Sequence, residues 1–112
     1  MWSYEKIGIA VLIVAVLFIY VRCSSIKVYR FYRPACPYCV SSQAEWDQFV
    51  SDSMFMLIRP ININLDKPDN ATFAKNFAVT SVPTVIKVNP DGSSEKYDGE
   101  RTAAAYMKWV RS

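Results

Sequence analysis

Two thiols stand at Cys36 and Cys39 in the stretch Arg33-Pro34-Ala35-Cys36-Pro37-Tyr38-Cys39-Val40. No other residues of this chain are so clearly placed for chemistry. At this spacing two cysteines can close a disulfide within one helical turn and reopen it, which a purely structural pair seldom needs. Half of a zinc site has the same spacing, but it needs two more ligands. The chain has no histidine and no second cysteine pair, so no metal is expected. The missing histidine also excludes His general bases and Cys–His nucleophile pairs. Three cysteines are too few for a disulfide-stapled scaffold, and a redox motif is the better reading of the close pair. Cys23 stands apart; a lipid attachment site, an intermolecular disulfide and a free thiol without a role are all open for it.

The elements around the pair can be read from pattern. Ile26 to Tyr32 is β-branched and aromatic, a strand that Pro34 ends. Pro37 suits a first helical turn, where its missing N–H costs nothing. Val40, Ala44, Trp46, Phe49 and Val50 then recur at helical spacing up to Ser51-Asp52-Ser53. Met54 to Ile58 is apolar and undecided between connection and strand. Ile61, Ile63 and Leu65 alternate with asparagines as a second strand, and Asn70 is placed to cap a short helix through Phe77. Val82 to Val88 forms a third strand, Asn89-Pro90-Asp91-Gly92 a hairpin turn and Glu95 to Tyr97 a fourth strand. Thr102 caps a last helix with Ala103, Tyr106, Met107 and Val110 on one face. The predicted order is βαβαββα over residues 26–112, an α/β domain with four strands.

Residues 1–25 read differently. Ile7 to Val21 is uncharged and rich in Val, Ile and Leu, between Lys6 and Arg22, with Trp2, Tyr4 and Tyr20 near its ends. Fifteen helical residues rise only about 22 Å against a hydrocarbon core of about 30 Å, so a span needs the flanking residues and snorkelling cations. No small-residue cleavage site follows, which favours an uncleaved signal-anchor over a removed signal peptide or a buried helix. Arg22, Lys27, Arg30 and Arg33 after the run, against Glu5 and Lys6 before it, place residues 26–112 on the cytosolic side of a single-pass membrane protein. The net charge of +3 is modest and no basic tract with interleaved aromatics exists, so nucleic acid is not an expected partner. Oligomeric state is not legible.

Taken together, three segments resemble the thioredoxin superfamily across nearly all of residues 26–112. They are Phe31 to Cys39; Ile63-Asn64-Leu65-Asp66, followed by Phe77-Ala78-Val79-Thr80-Ser81-Val82-Pro83-Thr84; and the hairpin ending at Tyr97-Asp98-Gly99. The resemblance implies a thioredoxin-like mixed sheet flanked by helices, a cis Pro83 packed opposite the cysteine pair, and a Val82 backbone turned outward to meet a substrate chain. It implies an exposed Cys36 as nucleophile, a buried Cys39 as resolving thiol, and substrate contacts at Pro37, Tyr38, Val82, Pro83 and Thr84. A thiolate at a helix N-terminus is stabilised by backbone N–H groups, and Arg33 and Arg30 are the neighbouring cations expected to tune it.

The chain also departs from the family. Thioredoxins carry a buried acid where Arg30 stands, and an aromatic where Ala35 stands. Cys-Pro-Tyr-Cys is typical of glutaredoxins, and Arg33 sits where they carry a lysine that meets glutathione. Their paired glycines, however, are reduced here to Gly99. The expected function is a membrane-anchored thiol–disulfide oxidoreductase acting on protein thiols and disulfides without a bound cofactor. The alternatives are a glutaredoxin using glutathione as co-substrate, and an adaptor that binds partners without redox turnover.

Overall fold

The computed structural model describes residues 4–112; Trp2 lies outside them, as do the side chains of Tyr4, Glu5, Tyr20, Arg22 and Cys23. Helix α1 runs Tyr4–Ser24, and its side chains from Lys6 to Ile19 are exposed. Among the described residues no helix is long and apolar enough to cross a membrane.

The remaining elements are β1 (Ile26–Tyr32), α2 (Pro37–Ser41), α3 (Gln43–Asp52), β2 (Ile58–Asn64), α4 (Ala71–Asn76), β3 (Thr84–Val88), β4 (Ser94–Lys96) and α5 (Ala103–Val110). They form a four-stranded mixed sheet in the order β2-β1-β3-β4. β1 runs parallel to β2, with Ile26 opposite Ile58 and Tyr32 opposite Asn64, and antiparallel to β3. A parallel neighbour needs a crossover, supplied here by α2 and α3.

Alternation along β1 sorts the core into two layers. Val28 joins Trp46, Phe49, Ile58, Val85, Ala103, Tyr106 and Val110 beneath α3 and α5. Phe31 joins Ala74 and Ile86 beneath α4, with Tyr29, Phe73 and Phe77 packed around them. Trp46, Phe49 and Tyr106 meet with ring centroids 5.2 to 5.8 Å apart. These aromatic contacts hold α3 to α5, and through them fix the helix that carries the dithiol.

Several boundaries differ from the sequence reading for identifiable reasons. The helix expected from Pro37 onward is interrupted at Ser42, whose hydroxyl donates to the Tyr38 carbonyl at 2.8 Å. Such back-bonding competes with the helical ladder and bends it. β2 begins at Ile58, because Met54 to Leu57 is a turn. Asn70 does not cap α4 with its side chain; its Nδ2 donates instead to the Asn64 carbonyl at 2.9 Å, and a single 3-10 turn, Pro68–Asn70, leads in. β3 starts at Thr84 and β4 at Ser94, although Tyr97 N–H still donates to Val85. Thr102 caps α5 as expected, accepting from the Ala105 N–H at 3.2 Å.

Candidate active site

The turn leaving β1 brings the chain around so that Cys36 becomes the N-cap of α2. Its N–H donates to the Arg33 carbonyl at 3.1 Å, and its own carbonyl accepts from Val40 at 3.0 Å. Pro37 occupies the first helical position, where the expected missing donor costs nothing. Both cysteines are free thiols. Cys36 is half-exposed, whereas Cys39, on the inner side of α2, is 2% exposed. The Cys39 N–H donates to Cys36 Sγ at 3.4 Å, and Cys36 Sγ donates to the Val82 carbonyl at 3.7 Å.

Val82–Pro83 is a cis peptide bond. Cys36 and Val82, 46 positions apart, are in contact across the site: the thiol of one and the carbonyl of the other. Val82 and Pro83 are half-buried, while Pro37, Tyr38 and Val40 are exposed around Cys36. Thr84 is buried and its hydroxyl donates to the Ser81 carbonyl at 2.7 Å, which ties the turn rather than facing solvent. A cleft of about 310 Å³ borders Cys39, lined also by Tyr32, Arg33, Pro34, Val40 and Gln43.

The two thiols have opposite electrostatics. Cys36 is held below the ordinary thiol range, first by the Cys39 side chain, then by the Cys39 N–H, then by the Tyr38 N–H and the Arg101 charge. Burial pushes Cys39 up; the Arg33 backbone and the Arg30 charge act against this.

The expected tuning cations are therefore redistributed. The Arg33 guanidinium pairs with Asp66 at 3.0 Å and is exposed, so its side chain is held toward β2. Arg30 acts on Cys39 from below. It is 1% exposed, with Nη2 donating to the Cys39 carbonyl at 2.8 Å and Nη1 to Gln43 Oε1 at 2.9 Å. Nη2 also points to the Ser42 hydroxyl at 3.5 Å, and the faces of Tyr32 and Trp46 lie 5.2 and 5.8 Å away. Arg101 is the cation on the Cys36 side, 5.7 Å over the Tyr38 ring. Sequence reasoning missed Arg101 and Gln43, because only the returning hairpin and the bend at Ser42 bring them to the pair.

Among the described residues no three His, Cys, Asp or Glu side chains are grouped as for a metal ion, and the site consists of two thiols with hydrogen-bond donors and cations around them. The model of the thioredoxin family matches residues 20–112. The chain belongs to the thioredoxin family. It is 28% identical over 84 residues to thioredoxin-related transmembrane protein 1 of Homo sapiens, and 26% identical over 81 residues to the Bos taurus protein of that name. Each match takes in 72% of this chain and 28% of the relative, so the chain spans little more than a quarter of their length. The first thioredoxin domain of mouse protein disulfide-isomerase A4 has the same fold, with TM-score 0.69 and 24% identity over 85% of this chain and 67% of that one.

Proposed function

We propose that this protein is a thiol–disulfide oxidoreductase, anchored to a membrane through residues 7–21, with residues 26–112 as its catalytic domain. The single observation that carries the redox reading is the asymmetry of the pair. A half-exposed thiol with depressed pKa sits opposite Val82–Pro83, backed by a buried thiol with raised pKa.

In the direction that reduces substrate, the Cys36 thiolate attacks one sulfur of a substrate disulfide. The substrate S–S bond breaks, a mixed disulfide forms, and the first substrate sulfur leaves as a thiolate that takes a proton from water. Cys39 then loses its proton to solvent and attacks Cys36 Sγ, expelling the second substrate thiolate. The products are the Cys36–Cys39 disulfide and a substrate reduced by two electrons; the reverse sequence oxidises a substrate dithiol. Pro37, Tyr38, Val82 and Pro83 are the surface on which a substrate chain would lie. Thr84 supports that surface from beneath.

Protein thiols fit this site better than glutathione. The Arg33 charge that would meet a glutathione carboxylate is already paired with Asp66. Anchorage is supported by the apolar, exposed course of α1 and by relatives named as transmembrane proteins. With Arg30 buried and Arg33 paired, the charges left to orient the helix are Arg22 and Lys27 against Lys6, and we place the domain on the cytosolic side. Protease protection in sealed vesicles reads that orientation directly.

The test of function is insulin-disulfide reduction by the full chain together with a glutathione redox titration. Cys36→Ser should abolish turnover, and Cys39→Ser should accumulate mixed disulfides with protein partners. No insulin reduction by the full chain, with partner binding unchanged by Cys36→Ser, would overturn the reading in favour of a non-redox adaptor. A pair that exchanges with glutathione mixed disulfides far faster than with insulin would mean a glutaredoxin.

A further inference from the structure

The turn between α3 and β2 exposes its apolar side chains. Phe55 is 98% exposed and Met54 66%, with Leu57 and Met56 also on the surface. This is not a loosely held loop. Ser53 is fully buried and its N–H donates to the Phe49 carbonyl at 3.0 Å, while Met54 N–H donates to Ser51 and Met56 N–H to Ser53. The backbone is pinned on both sides of Phe55, yet its ring is left in water. Four consecutive apolar side chains turned outward make a continuous patch, whereas scattered single ones would need no explanation.

Its place in the fold indicates what covers it. The Leu57 carbonyl accepts from Ile26 N–H at 2.9 Å, and Ile26 lies two residues past the end of α1. The patch thus sits beside the point where α1 passes into β1. Arg59, opposite Lys27 in the register and exposed, follows the turn. The last turn of α5 reaches the same end of the sheet, because the Trp109 carbonyl accepts from Lys87, whose register partner is Val28. It exposes Lys108 and Arg111. The exposed acid nearest the turn in sequence, Asp52, accepts from Gln48. Exposed Arg59, Lys108 and Arg111 share this end of the sheet with exposed Asp91 and with Glu95, which Lys87 holds at 3.6 Å; apolar side chains beside such cations suit the boundary between acyl chains and anionic headgroups.

We infer that Met54, Phe55 and Leu57 insert into the headgroup boundary of the same bilayer that receives α1, with Arg59, Lys108 and Arg111 facing lipid phosphates. This rests on the anchorage of α1 proposed above. A helix alone leaves the domain free to swivel, and a second contact beside it removes that freedom. Cys36 follows the opposite end of β1, roughly 20 Å along a seven-residue strand. The dithiol is then presented away from the lipid.

The experiment reconstitutes the full chain in phosphatidylcholine vesicles, with and without phosphatidylserine, containing a phospholipid with a carbene-generating group in its acyl chain. Lipid adducts are located by mass spectrometry. Adducts on both α1 and residues 54–57, the latter increased by phosphatidylserine, support the inference. In the double variant M54S/F55S the adducts at 54–57 should fall at least fivefold while those on α1 and insulin reduction remain unchanged. Adducts on α1 without any at 54–57 would overturn the lipid contact and leave the anchor standing; a second copy or a soluble protein covering the patch gives this result. Absence of adducts on α1 would overturn the anchor, and the inference with it.

Discussion

Arg30 is a cation in the core and pairs with no carboxylate among the described residues. Among the described residues its side-chain partners are a carbonyl, an amide oxygen and a distant hydroxyl, and its Nε has none. Burying a charge on such terms is costly, and replacement by an apolar side chain of similar volume is often neutral or stabilising. Its field favours the Cys39 thiolate over the thiol, and hence the reduced pair over the disulfide once the pH is high enough to ionise Cys39. Arg30→Met is therefore expected to leave the domain at least as resistant to urea while making the pair more reducing at alkaline pH, where Cys39 ionises. A loss of about 1.4 kcal/mol of thiolate stabilisation lowers the potential by about 30 mV. A redox titration showing an unchanged or higher potential would contradict this. The pH dependence of alkylation follows from the opposite shifts of the two thiols. Because Cys36 is depressed, iodoacetamide should react with it at a pH below that needed for a free cysteine; Cys39 should react only above. Removing a nearby cation disfavours the thiolate, so Arg101→Ala should move the Cys36 midpoint upward, read by mass spectrometry across a pH series.

At the scale of elements, α4 ends on a strained residue. Ala78 has φ +54°, with its N–H donating to Lys75 and the following Val79 N–H to Ala74, the bond pattern of a Schellman cap. An L-residue with a Cβ pays about 1 kcal/mol or more in this left-handed region, which glycine does not. Ala78→Gly should therefore raise the urea midpoint, with a gain in stability of about 1 kcal/mol less the extra unfolded-state freedom of glycine. A lower midpoint would show that the methyl group packs productively. The other end of the domain is better matched. Thr102 satisfies the Ala105 N–H, and Glu45 of α3 accepts from the Ala103 N–H at 2.8 Å. One helix thus has its N-terminus completed by a side chain of another, tying α5 to the helix behind the dithiol.

For the molecule as a whole, the two layers carry different duties. The layer under α4 is mainly phenyl rings: Phe31, Phe73 and Phe77 meet with centroids 5.1 to 6.0 Å apart. The layer under α3 and α5 carries Trp46 and Phe49, and it also supports Arg30 and, through it, Cys39. Truncating Trp46 should therefore affect stability and chemistry together. Trp46→Ala is expected to cost about 3–5 kcal/mol and to raise the alkylation rate of Cys39, measured by denaturation and by thiol labelling. Stability loss with Cys39 still protected would mean that α2 is held independently of this layer.

How much was legible in the sequence follows from how local each feature is. The dithiol, Pro37 at the helix start, the Thr102 cap and the hairpin at Asn89 to Gly92, with Gly92 at φ +89°, depend on residues within a few positions of one another. Residue type alone settles them. Strand alternation sets Val28 and Phe31 on opposite faces, but which face is core, and that Arg30 follows Val28 into it, comes from the packing. Trp46 and Phe49 on one side, Met54 and Phe55 on the other, are chemically alike in sequence; packing against Tyr106 buries the first two, and the pinned turn exposes the others. The Cys36–Val82 contact, the Arg33–Asp66 pair and Arg101 near the site join residues that are far apart in the chain. The sequence by itself determined that a redox-capable pair opens a helix in a thioredoxin-like domain behind an apolar segment. Only the tertiary structure decided which cation meets which thiol, because those distances are set by how the sheet and helices close on one another.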